Sequence, residues 1–240
     1  MNIIAIIPVR AGSTRVKNKN SRDFLGKPLM AWAIESALES GVFDRVLVST
    51  EDEKLAQIAR EYGAETPFVR PNELAGDKVG FEPVLKDAIE WLRENEGYKV
   101  DAVALLPVTQ PLRKPADLVG AVNTYVENEA THDCVVTVNP LKGNDHPYWI
   151  LEQSNNESVK LANGKPVNEI ITRSQDLPPI YFYRNDVAYI CRAQNLLEEK
   201  PTLYGKEGNI KLYVIDDDDY KVDINTEWDW KLAEYIVRGA

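Results

Sequence analysis

The sequence predicts an α/β fold, doubly wound around a mostly parallel sheet. Two observations carry this. Short, unbroken apolar runs recur at Ile3 to Ile7, Arg45 to Ser49, Ala102 to Leu106 and Cys134 to Val138. They are too short for helices and lack the alternation of a half-exposed strand, as expected of strands buried on both faces. Between them lie stretches with helical periodicity, and that alternation implies parallel strands joined by crossover helices. A length of 240 residues at 44% hydrophobic content permits one large domain, or a domain with an insertion.

The elements follow in order. Pro28 to Ser40 reads as a helix, with Leu29, Trp32, Ala33, Ser36 and Ala37 on one stripe. Pro28 suits its first turn and Gly41 ends it. Glu51 to Tyr62 is a helix with Leu55, Ile58 and Ala59 inward, stopped at Gly63. Glu65 to Val69 reads as a short strand, residues 70–77 as a loop, and Phe81 to Asn95 and Pro115 to Asn128 as helices. From Asn139 to about Pro179 the pattern turns polar and turn-rich. There Val159 to Leu161 and Val167 to Ile171 are expected to pair around Asn163-Gly164. Thr226 to Val237 closes the chain as a helix, with Trp230, Ala233, Ile236 and Val237 as its core stripe. There is no internal repeat and no low-complexity linker.

The formal charge is -10. No broad basic face is available to neutralise a nucleic-acid backbone, so nucleic acid is not expected as a partner. Cys134 and Cys191 are the only cysteines and lack metal-type spacing. A reduced, cytoplasmic setting is expected. The opening apolar run is too short for a signal sequence, and no stretch approaches membrane-spanning length.

Against the acidic background, Arg10, Arg15, Lys17, Lys19, Arg22 and Lys27 crowd around a loop centred on Gly12, Ser13 and Thr14. Only Asp23 opposes them. Gly12 permits close backbone approach, and exposed N–H groups suit phosphate oxygens. Cations supply neutralising charge. A polyphosphate site at the C-terminal end of the first strand is one reading; a solvated surface loop is the other. Neither the Walker A order nor the dinucleotide fingerprint is present. Residues 107–114 read equally as a ligand loop or as a proline-rich turn into the next helix. The run Asp216 to Asp219 reads as a solvated loop.

Pro8-Val-Arg10-Ala-Gly-Ser13, Lys19-Asn20 and Leu25-Gly-Lys-Pro28-Leu-Met-Ala-Trp32 resemble the opening signature of the acylneuraminate cytidylyltransferases, the CMP-sialic acid synthetases. The family's usual form is Ala-Arg-Gly-Gly-Ser-Lys, then Lys-Asn, then Gly-Lys-Pro-Leu. Ser13-Thr14-Arg15 is closer to related sugar nucleotidyltransferases, including the Kdo branch. Arg70 and Asp77 match the family's Arg-Pro-x-x-Leu-Ala-x-Asp. Leu105, Leu106, Thr109, Pro111, Leu112 and Arg113 match Leu-Leu-Gln-Pro-Thr-Ser-Pro-Leu-Arg, with Pro107 in place of Gln and Gln110 in place of Ser. Arg173 and the stretch Arg184-Asn185-Asp186-Val-Ala-Tyr189 are similar to Arg…Asn-Gly-Ala-Ile-Tyr, with Asp186 where Gly is usual. Asp223-Ile-Asn225-Thr-Glu227 resembles Asp-Ile-Asp-Thr-Glu, with Asn225 in place of the second Asp.

The resemblance implies a sheet of the nucleotide-diphospho-sugar transferase type. Its nucleotide-binding core would comprise 1–138 and 181–240, with 139–180 as a dimerisation insertion reaching the partner's sugar site. His146-Pro147 fits that insertion, and Trp149 stands where Lys is frequent. On residue type alone His146 reads as a loop or interface residue. The implied reaction joins CMP from CTP to a 2-keto-3-deoxy acid sugar (sialic, legionaminic or pseudaminic acid) and releases pyrophosphate. Arg10, Lys19 and Arg173 would be catalytic. Arg10, Ala11, Gly12, Ser13, Arg15, Lys19, Asn20, Arg70, Asp77 and Thr109 would bind the nucleotide. Gln110, Arg173, Arg184 and Asn185 would bind the sugar; for Arg173 the motif favours this role over an ordinary surface pair. Mg²⁺ would sit on Asp223 and Asn225. A homodimer is implied. Two alternatives stay open: a Kdo or different-base nucleotidyltransferase, and a non-catalytic nucleotide-binding homologue.

Overall fold

The computed structural model describes residues 1–13, 15–154, 158–205 and 208–239. Thr14 lies outside them. In chain order the elements are β1 (Ile3–Pro8), β2 (Asp23–Phe24), β3 (Lys27–Pro28), α1 (Leu29–Ser40), β4 (Arg45–Ser49), α2 (Glu53–Glu61), α3 (Phe81–Glu96) and β5 (Ala102–Leu105). Then come α4 (Pro115–Asn128), β6 (Cys134–Pro140), β7 (Leu151–Ser154), β8 (Ser158–Leu161), β9 (Phe182–Arg192), α5 (Ala193–Leu197), β10 (Ile210–Val214) and α6 (Glu227–Arg238).

Six strands form one sheet in the order β10-β6-β9-β5-β1-β4. β1 runs parallel to both neighbours, and β10 runs parallel to β6. Only β9 runs antiparallel, wedged between β5 and β6. The sheet is doubly wound. Ile3, Ala5 and Ile7 face one buried layer with residues of α1, α2, α4 and α6. Ile4 and Ile6 face the other, with α3 and α5. This is why β1 reads as an unbroken apolar run.

Three expectations need correction. The segment expected as a strand from Glu65 to Val69 keeps a single bridge, Leu47 to Glu65. Pro67 removes the next backbone donor and stops the pairing. The expected hairpin around Asn163-Gly164 is cut short: β8 forms its ladder with β7 and meets the segment after the turn in one bridge, Lys160 to Pro166. Gly164 does turn the chain, at φ +85°. Its N–H donates to Leu161, and the Leu161 N–H donates to Lys165. Past Pro166, Val167–Glu169 makes only a 3-10 turn. Third, β9 and β10 have no counterpart among the strands expected from sequence. Arg184-Asn185-Asp186 interrupts the apolar pattern of β9, and Asp186 sits at φ +55°.

The described residues between 141 and 181 stand outside the main sheet. His146 is fully buried there. One ring nitrogen lies 3.2 Å from the Pro178 carbonyl, and the other accepts from the Tyr148 N–H. Its role is structural. Asp216, Asp217 and Asp218 pair with Lys142, Lys114 and Lys221, as a solvated acidic loop should. Among the described residues no helix is long and apolar enough to cross a membrane.

An aromatic seam joins the end of the basic loop to the last helix. Phe24 packs edge-on against Trp32 at 5.6 Å and against Trp230 at 5.3 Å. The Arg22 guanidinium lies 4.2 Å from the Trp230 ring centre. Aromatic rings carry most of the buried area at such a junction. Replacing Trp230 by Ala is therefore expected to cost about 3–5 kcal/mol in urea unfolding, with the largest loss of amide protection in α6 and β2.

Candidate active site

A cleft of about 320 Å³ opens beyond the C-terminal ends of β1 and β5. Open α/β sheets place ligands at such a position. Four segments build it. The β1 loop brings Arg10, Ser13, Arg15, Lys19 and Asn20. The wall leading into α3 brings Arg70, Leu74, Asp77, Val79 and Phe81. The loop after β5 brings Pro107, Val108 and Thr109. β9 adds Asp186, and the segment before α6 adds Asp223 and Asn225.

The local folding of each segment follows from its hydrogen bonds. Asn20 is buried; its amide donates to the Arg10 carbonyl at 2.8 Å and closes the basic loop onto itself. Arg10 pairs across the cleft with Asp77 at 2.6 Å. Arg70, 3% exposed, donates to the Val9 carbonyl at 2.7 Å and pairs with Glu51. Glu51 also accepts from the Ala11 N–H at 2.8 Å. One buried ion pair thus fixes both the end of β1 and the start of the basic loop.

Ile224 is wholly buried, and its peptide is held from both sides. Its N–H donates to the Thr109 carbonyl and its carbonyl accepts from Lys19 Nζ, each at 2.9 Å. Alternation along this extended stretch then turns Asp223 and Asn225 together toward the cleft. A capping box between Thr226 and Asp229 starts α6 directly afterwards, and Asp229 also accepts from the Asn225 N–H at 3.0 Å. The Asn225 amide donates to one oxygen of Asp223. The other oxygen, Oδ1, is buried without a hydrogen-bond partner.

The charges strain against one another. Burial pulls the Lys19 ammonium below its ordinary range, and Arg15 and Arg10 push the same way, against Asp223. Burial pushes the Asp223 carboxyl up, and the charge of Asp186 adds to this. The Asn225 amide, with Thr109 and Lys19 nearby, works against that rise. The free cleft therefore holds crowded cations beside crowded carboxylates. A polyanion carrying a divalent cation would relieve both crowds.

Of the nucleotide set expected from sequence, Arg10, Ser13, Arg15, Lys19, Asn20, Arg70, Asp77 and Thr109 converge on this cleft, with Asp223 and Asn225. Ala11 and Gly12 do not line it. A Cβ added at Gly12 would meet nothing within 4 Å, so no protein atom requires glycine there. The sugar set is not brought together. Gln110 is fully buried and donates to the Asn185 carbonyl at 3.0 Å. Asn185 is buried and bonds to Asn139 at 2.6 Å. Both amides brace the loops instead of facing the cleft. Arg184 is exposed and donates to the Tyr204 hydroxyl. Arg173 is exposed, pairs with Asp176 at 3.5 Å and is not among the residues lining the cleft of its own chain. Sequence reasoning missed Glu51, Phe81 and Asp186. Only Asp186 left a signal, as a departure from the Gly of the resemblance.

The Glu51–Arg70 pair yields a signed expectation. Burial alone would raise the Glu51 carboxyl, but Arg70 and the Ala11 N–H outweigh it, and the net shift is downward. The pair's contribution to stability is therefore complete above the ordinary glutamate range and lost as pH falls through the depressed value. Glu51→Gln leaves a buried guanidinium unpaired and should cost about 3 kcal/mol or more at neutral pH. In denaturant titrations the gap from the wild type should close as pH falls below about 4.

Comparison with known proteins gives the family and the fold. Residues 4–234 match the Cytidylyltransferase family. The CMP-N,N'-diacetyllegionaminic acid synthase of Legionella pneumophila is 32% identical over 239 residues, covering 99% of this chain and 97% of that protein. The pseudaminic acid cytidylyltransferase of Campylobacter jejuni is 42% identical over 131 residues, 54% of this chain and 56% of that protein. Among solved structures, CMP:2-keto-3-deoxy-manno-octonic acid synthetase complexed with CTP has the same fold, with a TM-score of 0.72 at 16% identity, covering 100% of this chain and 99% of that one. The chain belongs to the cytidylyltransferase family.

Proposed function

We propose that this chain transfers CMP from CTP to the anomeric hydroxyl of a nonulosonic acid, a 2-keto-3-deoxy acid sugar, and releases pyrophosphate. The observation that carries this is the meeting of Arg10, Arg15 and Lys19 with Asp223 in one cleft at the end of β1. The legionaminic and pseudaminic acid enzymes among the relatives support the sugar class.

In the reaction the sugar oxygen attacks the α-phosphorus in line. A new P–O bond forms, the bond to the β-phosphate oxygen breaks, and the hydroxyl proton is lost. Such transfer rests on positioning and charge stabilisation. Arg10, Arg15 and Lys19 hold the triphosphate and take up the charge that grows on the departing pyrophosphate. Displacement by phosphate of the Arg10–Asp77 contact frees the guanidinium for this work. Phe81, 43% exposed at the start of α3, offers an apolar face to the base.

The residues present fit Mg²⁺. Asp223 Oδ1 is a buried, unpartnered hard oxygen, and the Asn225 amide lies beside it. Among the described residues no group of three or more His, Cys, Asp or Glu side chains could hold a metal ion. That suits a cation that arrives with the phosphates and takes only one or two carboxylates from the protein. When bound it would neutralise phosphate charge.

The 141–181 segment supports a homodimer. Ile150, Leu151, Val159, Ile170 and Ile180 are exposed on it, and a second copy would cover them. Arg173 would then reach the sugar carboxylate of the partner's cleft, where a guanidinium grips bidentately. The free thiols Cys134 and Cys191 fit the cytoplasm.

The test is pyrophosphate release with CTP and a panel of legionaminic, pseudaminic and sialic acids and Kdo. Release with a nonulosonic acid is expected, and Arg10→Ala or Lys19→Ala should lower kcat/KM on the order of 100-fold. Turnover of Kdo alone, or of another nucleotide alone, would give the site to a different sugar nucleotidyltransferase. CTP binding without release from any acid sugar would mean a binding protein.

A further inference from the structure

A divalent cation on Asp223 and Asn225 alone would receive a single negative charge from the protein, because the Asn225 amide is neutral. A second carboxylate lines the same cleft. We propose that Asp186 is the second carboxylate of this cation site, held toward the cleft by a dedicated set of buried donors. The inference rests on the cation site put forward above and extends it by one residue.

Backbone geometry comes first. Asp186 sits at φ +55°, in the left-handed region, inside a strand. Non-glycine residues adopt it at a cost and keep it when their surroundings over-determine it. Here they do. Three successive carbonyls are each taken by a buried side chain. Gln110 Nε2 donates to Asn185 at 3.0 Å. Arg113 donates to Asp186 at 3.2 Å and to Val187 at 2.6 Å. The Asn185 side-chain oxygen accepts from the Val187 N–H at 3.2 Å and closes the bend. Gln110 and Arg113 are 0% and 4% exposed. The bend turns Asp186 out of the β9 register and into the lining of the cleft.

The side chain is held as well. The Tyr189 hydroxyl donates to Asp186 Oδ1. Orientation of a carboxylate by a neighbouring hydroxyl is the usual support for a ligand. Donation to one oxygen does not exhaust the carboxylate's acceptor sites. The loop after β5 then couples both carboxylates. Its Thr109 carbonyl accepts from Ile224 beside Asp223, and its Gln110 and Arg113 hold the backbone at Asp186. Asp186 and Asp223 line the same cleft. Two carboxylates plus phosphate oxygens is an ordinary Mg²⁺ set.

The test uses the full chain, Mn²⁺ as the paramagnetic probe and α,β-methylene-CTP as a non-reacting nucleotide. Free Mn²⁺ is counted by electron paramagnetic resonance. Asp186→Asn is the informative variant, because Asn tolerates the left-handed backbone and should fold with an unchanged circular dichroism spectrum. Mn²⁺ affinity of its nucleotide complex should fall about tenfold or more. Metal-free nucleotide affinity should not fall. Adding Asn225→Asp to that variant should restore Mn²⁺ affinity, a rescue that a merely structural role would not give. Asp223→Asn serves as the reference. If it weakens Mn²⁺ binding while Asp186→Asn does not, Asp186 is no ligand and the inference falls alone. A shifted pH–rate profile with unchanged Mn²⁺ affinity would make Asp186 a proton acceptor instead, and would equally overturn it. If Asp223→Asn also binds Mn²⁺ like the wild type, the cation site itself fails.

Discussion

A buried guanidinium held by backbone carbonyls organises the loops around this cleft. Arg113 donates to the backbone carbonyls of Pro107, Asp186 and Val187. Burial pulls it down to about 10, so it stays charged at neutral pH. Taking an ionised group out of water is costly, and the carbonyl dipoles are what offset that cost. The consequence is mechanical. The end of β5 and the bend in β9 cannot separate without stranding a charge. β9 is the one antiparallel strand of the main sheet, and its junction with β5 is where a parallel scaffold admits a second source of site residues.

A second buried guanidinium does the same on the far side. Arg70 binds Val9 and Glu51, and Glu51 binds Ala11. The basic loop is thus hung from a fixed point, although much of it is exposed. Stability and site are coupled here: the interactions that hold the chain's core together also set the spacing of the cations. Between the two anchors, Arg10, Arg15 and Lys19 repel one another while Asp186 and Asp223 do the same. Such preorganised, mutually unfavourable charge is spent when ligand charge of the opposite sign arrives.

Much of this is legible in the sequence, and the limits have physical causes. β1, β4, α1 and α4 are read closely because each is one contiguous local pattern, buried on both faces of the strands and along one stripe of each helix. The helix after Thr226 is read because its cap and its stripe are contiguous. β9 escapes because Arg184-Asn185-Asp186 breaks its apolar run, and the bend that causes the break is set by Gln110 and Arg113 far away in sequence. β10 escapes because an edge strand is half exposed and short. The cleft is legible because most of the residues expected to line it lie on one loop. The residues expected to bind the acid sugar are not gathered there: Gln110 and Asn185 have the right chemistry but are buried as braces, and Arg173 does not line its own chain's cleft. Spacing in a sequence does not distinguish an amide that meets a ligand from one that meets a carbonyl.

A crystal structure of the chain grown with CTP and Mg²⁺ tests the central claim most directly. The account places the triphosphate between Arg10 and Lys19, the cation against Asp223, and Arg10 released from Asp77. Nucleotide bound elsewhere, or bound here with Arg10 still paired to Asp77 and Lys19 turned away from the phosphates, would contradict it.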